Sequence, residues 1–258
     1  MGRLAIVTGA TGGIGKQLCR LLAKNGYDLV ITGRSEGKLR MLSNELTALQ
    51  SINVYFLEGD LADAETRQRL FDIVPGVPDI LINNAGFGDY GPFAECDWDK
   101  QDEMIKVNVL ALTHITRHFL PSMVEKGYGR ILNVASVASF QPGPLMSVYY
   151  ASKSFVLSFS EALSVELRGT GVTVTALCPG PVNTGFAKAA NAEAINVFKE
   201  SSGADAELVA TYGYKSMMKG KPVAIYGKKF KLLIFFERLM PRSTVRKTLY
   251  RIQSSRAK

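Results

Sequence analysis

The stretch that most restricts what this chain can fold into is its first. Arg3-Leu4-Ala5-Ile6-Val7-Thr8 is a continuous apolar run rich in β-formers. It breaks into Gly9-Ala10-Thr11-Gly12-Gly13-Ile14-Gly15 and resumes as the helical pattern Lys16-Gln17-Leu18-Cys19-Arg20-Leu21-Leu22. This is a strand, a glycine-rich turn and a helix in direct succession. Glycines let the backbone turn tightly and approach a pyrophosphate, whose charge is stabilised by the N–H groups at a helix N-terminus. Alone the motif is weak, because a plain βα turn has the same make-up. Its meaning depends on the rest of the chain.

Residues 28–227 repeat the unit. Asp28-Leu29-Val30-Ile31-Thr32 reads as a second strand ending at Gly33-Arg34-Ser35, with Ser35 placed to cap a helix that starts at Glu36. Asn53-Val54-Tyr55-Phe56-Leu57 is the third, ending near Asp60, after which Asp63 can cap a helix through Val74. Asp79-Ile80-Leu81-Ile82 is the fourth, ending at Asn83-Asn84-Ala85-Gly86. A long helical stretch from about Asp99 to Glu125 then carries Asn108 among apolar residues, where a buried amide needs a partner. The fifth strand, Gly129 to Ala135, delivers Ser136 at its end. The sixth, Gly171 to Leu177, leads into Cys178-Pro179-Gly180-Pro181-Val182-Asn183-Thr184, and Pro222 to Gly227 reads as the seventh. Strands alternating with helices at this spacing predict an α/β fold, a doubly wound parallel sheet of Rossmann type with about seven strands and helices on both faces. Ligands of such sheets bind outside the carboxyl ends of the strands, so the strand tips are the expected cofactor contacts.

Between the fifth and sixth strands, Tyr149-Tyr150-Ala151-Ser152-Lys153 opens a helix that runs through Arg168 and sets Tyr149 and Lys153 four residues apart. That spacing puts a phenol and an ammonium on one helical face. A free phenol has a pKa of about 10, and bringing it near neutrality takes roughly 3–4 kcal/mol, about what a cation at ~4 Å supplies at an effective dielectric near 20. The pair reads as a tuned acid and base. Tyr150 is the rival phenol, but it would point away from Lys153.

At the end of the second strand, an acidic residue would bond the 2′-hydroxyl of an NAD ribose, whereas an arginine accommodates a 2′-phosphate. Gly33 and Arg34 stand there, so NADP(H) is expected over NAD(H). Glu36 is the competing reading, though the first turn of a helix already accounts for an acid at that place.

Composition narrows the rest. The 258 residues, 47% hydrophobic, suffice for one large domain. Cys19, Cys96 and Cys178 are scattered, with no CxxC and no Cys/His cluster, which argues for a reducing compartment and against a zinc site. His114 and His118 lie four apart without a third ligand and are expected at a surface or interface. Met1 runs straight into the first strand and no apolar run approaches a membrane span, so a cytoplasmic protein is expected. From Lys215 to the end there are 13 Lys/Arg and one acid, Glu237, whereas the preceding residues hold 18 basic and 22 acidic groups. The basic character belongs to the tail, which suggests a local interface and not nucleic-acid binding.

In this order and on these elements, TGATGGIG at 8–15, NNAG at 83–86, Asn108, Ser136, YxxxK at 149–153 and PGPVNT at 179–184 resemble the short-chain dehydrogenase/reductases, in their compact single-domain branch. The resemblance extends from Leu4 to about Tyr226. It implies that Tyr149 protonates the carbonyl oxygen of a ketone or aldehyde, or takes the proton of the alcohol in the reverse direction. Lys153 would lower the Tyr149 pKa and bond the nicotinamide ribose, Ser136 would hold the substrate oxygen, and Asn108 would anchor a relay water. By the same resemblance Gly9, Gly13 and Gly15 line the pyrophosphate, Asp60 reads the adenine, Asn84 lies by the ribose and Thr184 bonds the carboxamide. Thr11, Ile14, Leu61, Ala85, Gly86, Pro179, Gly180 and Val182 complete the implied cofactor contacts, and no metal is implied. The expected partners are a small carbonyl or alcohol substrate, with a lean toward hydrophobic ones, and sister subunits in a homodimer or homotetramer. A non-catalytic NADP(H)-binding sensor or scaffold, recruited through the basic tail, is the competing reading; it would call for a damaged tetrad, which is absent here.

The domain is expected to run from 1 to 227, with residues 185–221 as a flap over the substrate whose wall could include Phe186, Ile195, Val197 and Phe198. Residues 228–258 form a basic helical extension similar to that of a bacterial subgroup of the family. Phe230 to Met240 is apolar nearly all round, Pro241 breaks it, and a basic helix starts near Ser243. Packing on the fold or a sister subunit, peripheral membrane contact and an acidic protein partner are all open to such a segment.

Overall fold

All strand pairings in the sheet are parallel. Strands of this kind need crossover connections, and helices therefore cover both faces. The structure, a computed structural model, describes residues 2–192 and 203–254. In chain order its main elements are β1 (Arg3–Val7), α1 (Gly13–Lys24), β2 (Tyr27–Gly33), α2 (Glu36–Leu49), β3 (Val54–Glu58), α3 (Ala64–Ile73), β4 (Ile80–Asn83), α4 (Trp98–Ile105), a π-helical turn (Lys106–Ala111), α5 (Leu112–Lys126), β5 (Gly129–Val134), α6 (Ser147–Glu166), β6 (Val172–Cys178), α7 (Phe186–Ala189), α8 (Ala206–Met218), β7 (Val223–Ile225), α9 (Lys228–Glu237) and α10 (Arg242–Ser254).

The seven strands lie in the order β3-β2-β1-β4-β5-β6-β7. The chain winds outward from β1 to β3, then crosses back to β4 and winds the other way. The reversal between β1 and β4 opens a crevice at their carboxyl ends, where this class of sheet binds its ligands. On one face Leu18 and Leu22 of α1, Leu39, Leu42 and Leu46 of α2 and Val209 and Met217 of α8 bury against the strands. On the other, Leu70 of α3, Ile115 and Phe119 of α5 and Leu163 of α6 do the same. The expected doubly wound sheet is present, with the seventh strand shorter than the apolar run suggested.

Two local expectations are corrected. Ser35 and Asp63 stand at the N-cap positions of α2 and α3, but neither side chain makes the capping hydrogen bond. The long helix over 99–125 is not uniform: the π turn at Lys106–Ala111 interrupts its register and contains Asn108. The basic helix begins at Arg242, directly after Pro241 and beside the expected start near Ser243. Of the flap, α7 and α8 are seen, and Ile195, Val197 and Phe198 lie outside the described residues.

Candidate active site

The cradle at the end of β1 is built from backbone. Gly9 adopts φ +62°, and a Cβ there would come within 2.8 Å of the Ala85 Cα, so the turn after β1 lies directly on the NNAG segment after β4. A Cβ on Gly13 would collide with the Thr184 methyl, which brings the loop after β6 over the same turn. α1 starts at Gly13 with Gly12 as its N-cap and no capping side chain, and its first turn holds no acid. Its leading N–H groups therefore face the crevice without a side-chain acceptor, as a pyrophosphate site requires. Thr11 lies against Gly33, where a Cβ would meet its Oγ1 at 3.2 Å, which joins the turn to the base of Arg34. Ile14 packs on the core beneath the turn.

Asn84 is anchored to the glycine-rich turn. Its Nδ2 donates to Thr8 O at 3.0 Å and Gly9 O at 2.9 Å, while the N–H groups of Asn84 and Ala85 donate to Thr8 Oγ1, each at 3.0 Å. Its amide is occupied in fixing the glycine-rich turn. Leu61 and Ala85, with Thr8, Asn83 and Val107, line a narrow recess at the ends of β1 and β4. Asp60 accepts from the Ala62 N–H at 2.9 Å and lies 3.9 Å from the Arg34 guanidinium. Arg34 is two-thirds exposed (67%) at the rim, and Glu36, its rival, is paired with Arg40 at 2.6 Å. Glu36 is thus paired along its own helix, and the Arg34 head, beyond its long contact with Asp60, is exposed to an incoming anion. On the opposite side Pro179 O accepts from Val137 N at 2.9 Å and Val182 bridges to Ala204. Phe230 lies against Gly180. The expected cofactor residues therefore converge on one crevice.

The acid/base group lies beside it. Tyr149, Ser136 and Lys153 are all buried. The Ser136 hydroxyl neighbours the Tyr149 phenol and accepts from Ala138 N at 3.1 Å, at the start of a short 3-10 turn. Ser139 closes that turn by donating to Lys153 O at 2.8 Å, which ties it to α6. The Lys153 ammonium donates to Val134 O at 2.8 Å and stands 6.0 Å from the centre of the Tyr149 ring. Burial pulls the Lys153 pKa down to about 8.

Here the expected tuning is corrected. The Tyr149 pKa is raised above the ordinary phenol value, because exclusion from water penalises the phenolate by more than the neighbouring Ser136 hydroxyl favours it. Lys153 is turned to a main-chain carbonyl and is too far away to offset that burial. Tyr150 does point elsewhere, as expected, accepting from Gln253 Nε2 at 2.6 Å.

Asn108 is a satisfied amide. Its Oδ1 accepts from Phe87 N at 3.1 Å, and its Nδ2 donates to Phe87 O at 2.9 Å and Ser152 Oγ at 3.0 Å. With the side chain committed to protein, any bond to a relay water falls to the main chain of the π turn. Such turns occur frequently at functional sites.

The structure adds residues that the sequence alone does not single out. A buried ladder runs from Thr116 through Asn83 and Asn133 to Ser160, each link at 2.9 Å, and ties β4 and β5 to α5 and α6 under the site. Two asparagines in otherwise apolar strands are the available signal. The wall in front of Tyr149 is apolar: Met104, Ala138, Met146 and Ala190 are buried there, with Phe87, Tyr90 and Phe186 packed on them. Phe186 is an expected wall residue, and its ring centre lies 5.3 Å from that of Tyr149. His114 and His118 are exposed and stack on or against Phe71, and no metal-holding cluster occurs among the described residues.

A doubly wound sheet whose crevice carries a bare helix N-terminus, with a buried phenol, hydroxyl and ammonium at its edge, defines a dinucleotide-dependent oxidoreductase. Residues 3–195 match the family model of the short chain dehydrogenases. The chain is 38% identical over 192 residues to sulfoacetaldehyde reductase 2 of Chromohalobacter salexigens, a match spanning 72% of this chain and 75% of that one. Among solved structures, a short-chain dehydrogenase from Sphingobium yanoikuyae in complex with NADPH superposes with a TM-score of 0.83 at 26% identity, over 92% of this chain and 94% of the other. A short-chain dehydrogenase/reductase from Burkholderia phymatum in complex with NAD gives 0.84 at 27%, over 92% and 93%. The chain belongs to the short-chain dehydrogenase/reductase family and is an NAD(P)-dependent oxidoreductase.

Proposed function

We propose that this enzyme interconverts an apolar ketone or aldehyde and its alcohol, with NADP(H) as cofactor and Tyr149 as general acid and base. The observation that carries the reading is the shared burial of Ser136, Tyr149 and Lys153, with the Lys153 ammonium 6.0 Å from the centre of the Tyr149 ring. The bound cofactor supplies or accepts the hydride. The chain's own residues do the remainder. Ser136 and Tyr149 direct two hydroxyls at one place, so a substrate oxygen held between them is positioned and polarised. Tyr149 gives its proton to that oxygen as negative charge develops on it. A phenol raised by burial remains protonated at neutral pH, which suits it to act as the acid of the reductive direction.

Lys153 holds a cation near the phenolate that remains, and its two further N–H bonds are available to ribose hydroxyls. Rotating from Val134 O toward a bound ribose would bring the charge closer to Tyr149 and lower its pKa, which the reverse direction needs. Arg34 favours a 2′-phosphate by charge. The apolar wall of Met104, Met146, Phe87 and Phe186 excludes water and favours a hydrophobic carbonyl.

The test is a panel of aliphatic, aromatic, steroid-like and short anionic carbonyls, followed by NADPH and NADH absorbance. Turnover of apolar members with NADPH preferred supports the reading. Preference for NADH overturns the role of Arg34, and turnover confined to small anionic aldehydes overturns the apolar pocket.

A further inference from the structure

The C-terminal helices have two faces of different character. On α9, Phe230, Ile234 and Glu237 recur at i, i+4 and i+7 and turn toward the body of the protein. Phe230 lies against Gly180 of the cofactor loop, Ile234 is buried, and the Gln141 amide, its nitrogen turned to Glu237, donates to that carboxylate at 3.0 Å. On α10, Val245 and Gln253 are buried. Gln253 accepts through its main-chain oxygen from the Tyr90 hydroxyl at 2.9 Å and donates to Tyr150, the neighbour of Tyr149. The extension is therefore packed on its own fold, tied to the cofactor loop and the substrate wall. It needs no sister subunit to order it.

The opposite face of α9 has no cover. Leu232, Phe235, Phe236 and Leu239 follow the i, i+3, i+4, i+7 spacing of one helical stripe, with Leu239 in the turn that ends the helix. They are 59, 59, 53 and 73% exposed. Such a cluster of large apolar side chains in water marks an interaction surface. Lys228, Lys229 and Arg238 are exposed at the two ends of the stripe, and Arg246, Lys247 and Arg251 are exposed along α10. None of these has an ion-pair partner among the described residues.

Charge decides among occupants. A second copy seated on this face would bring a tail of 13 cations and one acid against another like it. An anionic surface that also accepts hydrocarbon meets both the cations and the stripe. At ten residues α9 is about 15 Å long, against about 30 Å for a bilayer core, so it lies in the interface and does not span. We infer that α9, with the cations of α9 and α10, docks the enzyme on an anionic lipid surface. Through the inner-face contacts, docking holds the substrate wall and the cofactor loop at a fixed attitude to that surface. The inference stands apart from the reductase reading and is tested without turnover.

Co-sedimentation of the full chain with vesicles of phosphatidylcholine alone, or with 30% phosphatidylglycerol, reads it directly (about one lipid in three anionic is enough for a surface potential that attracts polybasic segments). The expected result is binding to the anionic vesicles only, reversed by high salt. Neutralising Lys229→Gln with Arg238→Gln should weaken binding about 30-fold, at about 1 kcal/mol for each cation near the surface and 1.4 kcal/mol per tenfold. Leu232→Gln with Phe236→Gln should weaken it at least about tenfold, as expected for an interfacial helix that loses buried apolar area. NADPH binding, measured on the same samples by fluorescence, verifies that the variants are folded. Failure of the wild-type chain to bind anionic vesicles overturns the inference, as does undiminished binding by both folded variants. Concentration-dependent dimerisation that Leu232→Gln/Phe236→Gln abolishes, without vesicle binding, would assign the face to a second copy instead.

Discussion

Lys153→Met should make the cofactor-free protein more stable while impairing it as an enzyme. The Lys153 ammonium is buried, has one hydrogen bond to Val134 O and no acidic partner among the described residues, and its pKa falls from 10.5 to about 8. Below the folded pKa the group is protonated in both states, and the fold bears the full cost of burying the charge, about 3 kcal/mol for a displacement of this size. Methionine fills a similar volume without the charge. It leaves Val134 O without its donor, at about 1 kcal/mol, so a net gain of about 2 kcal/mol is expected at pH 7. The dependence on pH has a definite sign. Between pH 8 and 10.5 the unfolded chain holds the Lys153 proton and the folded chain does not, so this group makes the wild type gain stability as pH rises through that window. The variant lacks that gain, and the difference between the two should shrink toward the alkaline end. Urea unfolding of the cofactor-free proteins at pH 7, 8.5 and 10 measures it. A variant less stable than wild type at pH 7, or a difference flat across the three pH values, would refute the reasoning. A stabilising change that removes function would show that the site is maintained against the fold's own preference.

The same geometry sets other outcomes. Gly13→Ala should raise the NADPH dissociation constant by about tenfold or more, about 1.4 kcal/mol, because the new methyl collides with Thr184; fluorescence titration reads it. Arg34→Ala should lose about 10–100-fold in NADPH affinity, the 1.5–3 kcal/mol of a charged hydrogen bond, with NADH affinity nearly unchanged and little effect on thermal midpoint because Arg34 is at the exposed rim. Gln253→Ala should cost about 1–2 kcal/mol in chemical unfolding, since the half-buried Tyr150 hydroxyl loses its donor; no change would mean that α10 is not anchored there.

Much of this fold was legible because its signals are local. Apolar strands, glycine turns and helix spacing are written within a few residues of each other, and the Tyr149/Lys153 pair follows from helical periodicity alone. What the sequence hid depends on distant partners. The acceptor of Lys153 is a main-chain carbonyl on β5, invisible to any residue pattern, and the burial that raises the Tyr149 pKa is likewise set by distant packing. The Asn84 amide holds the turn after β1, 75 residues away. The π turn around Asn108 has no glycine or proline to announce it. Gln253 reaches Tyr150 across 103 residues, so a tail that looked merely basic and apolar proves to have an inner face at the substrate wall.

Single-turnover reduction by Tyr149→Phe, with NADPH and an apolar carbonyl found in the panel, tests the central claim most directly. Phenylalanine keeps the ring against Phe186 and removes only the phenol hydroxyl with its proton. The expected result is a hydride-transfer rate lower by about 10²–10⁴-fold, the usual worth of a positioned general acid, with NADPH affinity within about threefold of wild type, under 1 kcal/mol. Hydride transfer within tenfold of wild type, with the same cofactor affinity, would contradict the assignment of Tyr149 as the proton donor.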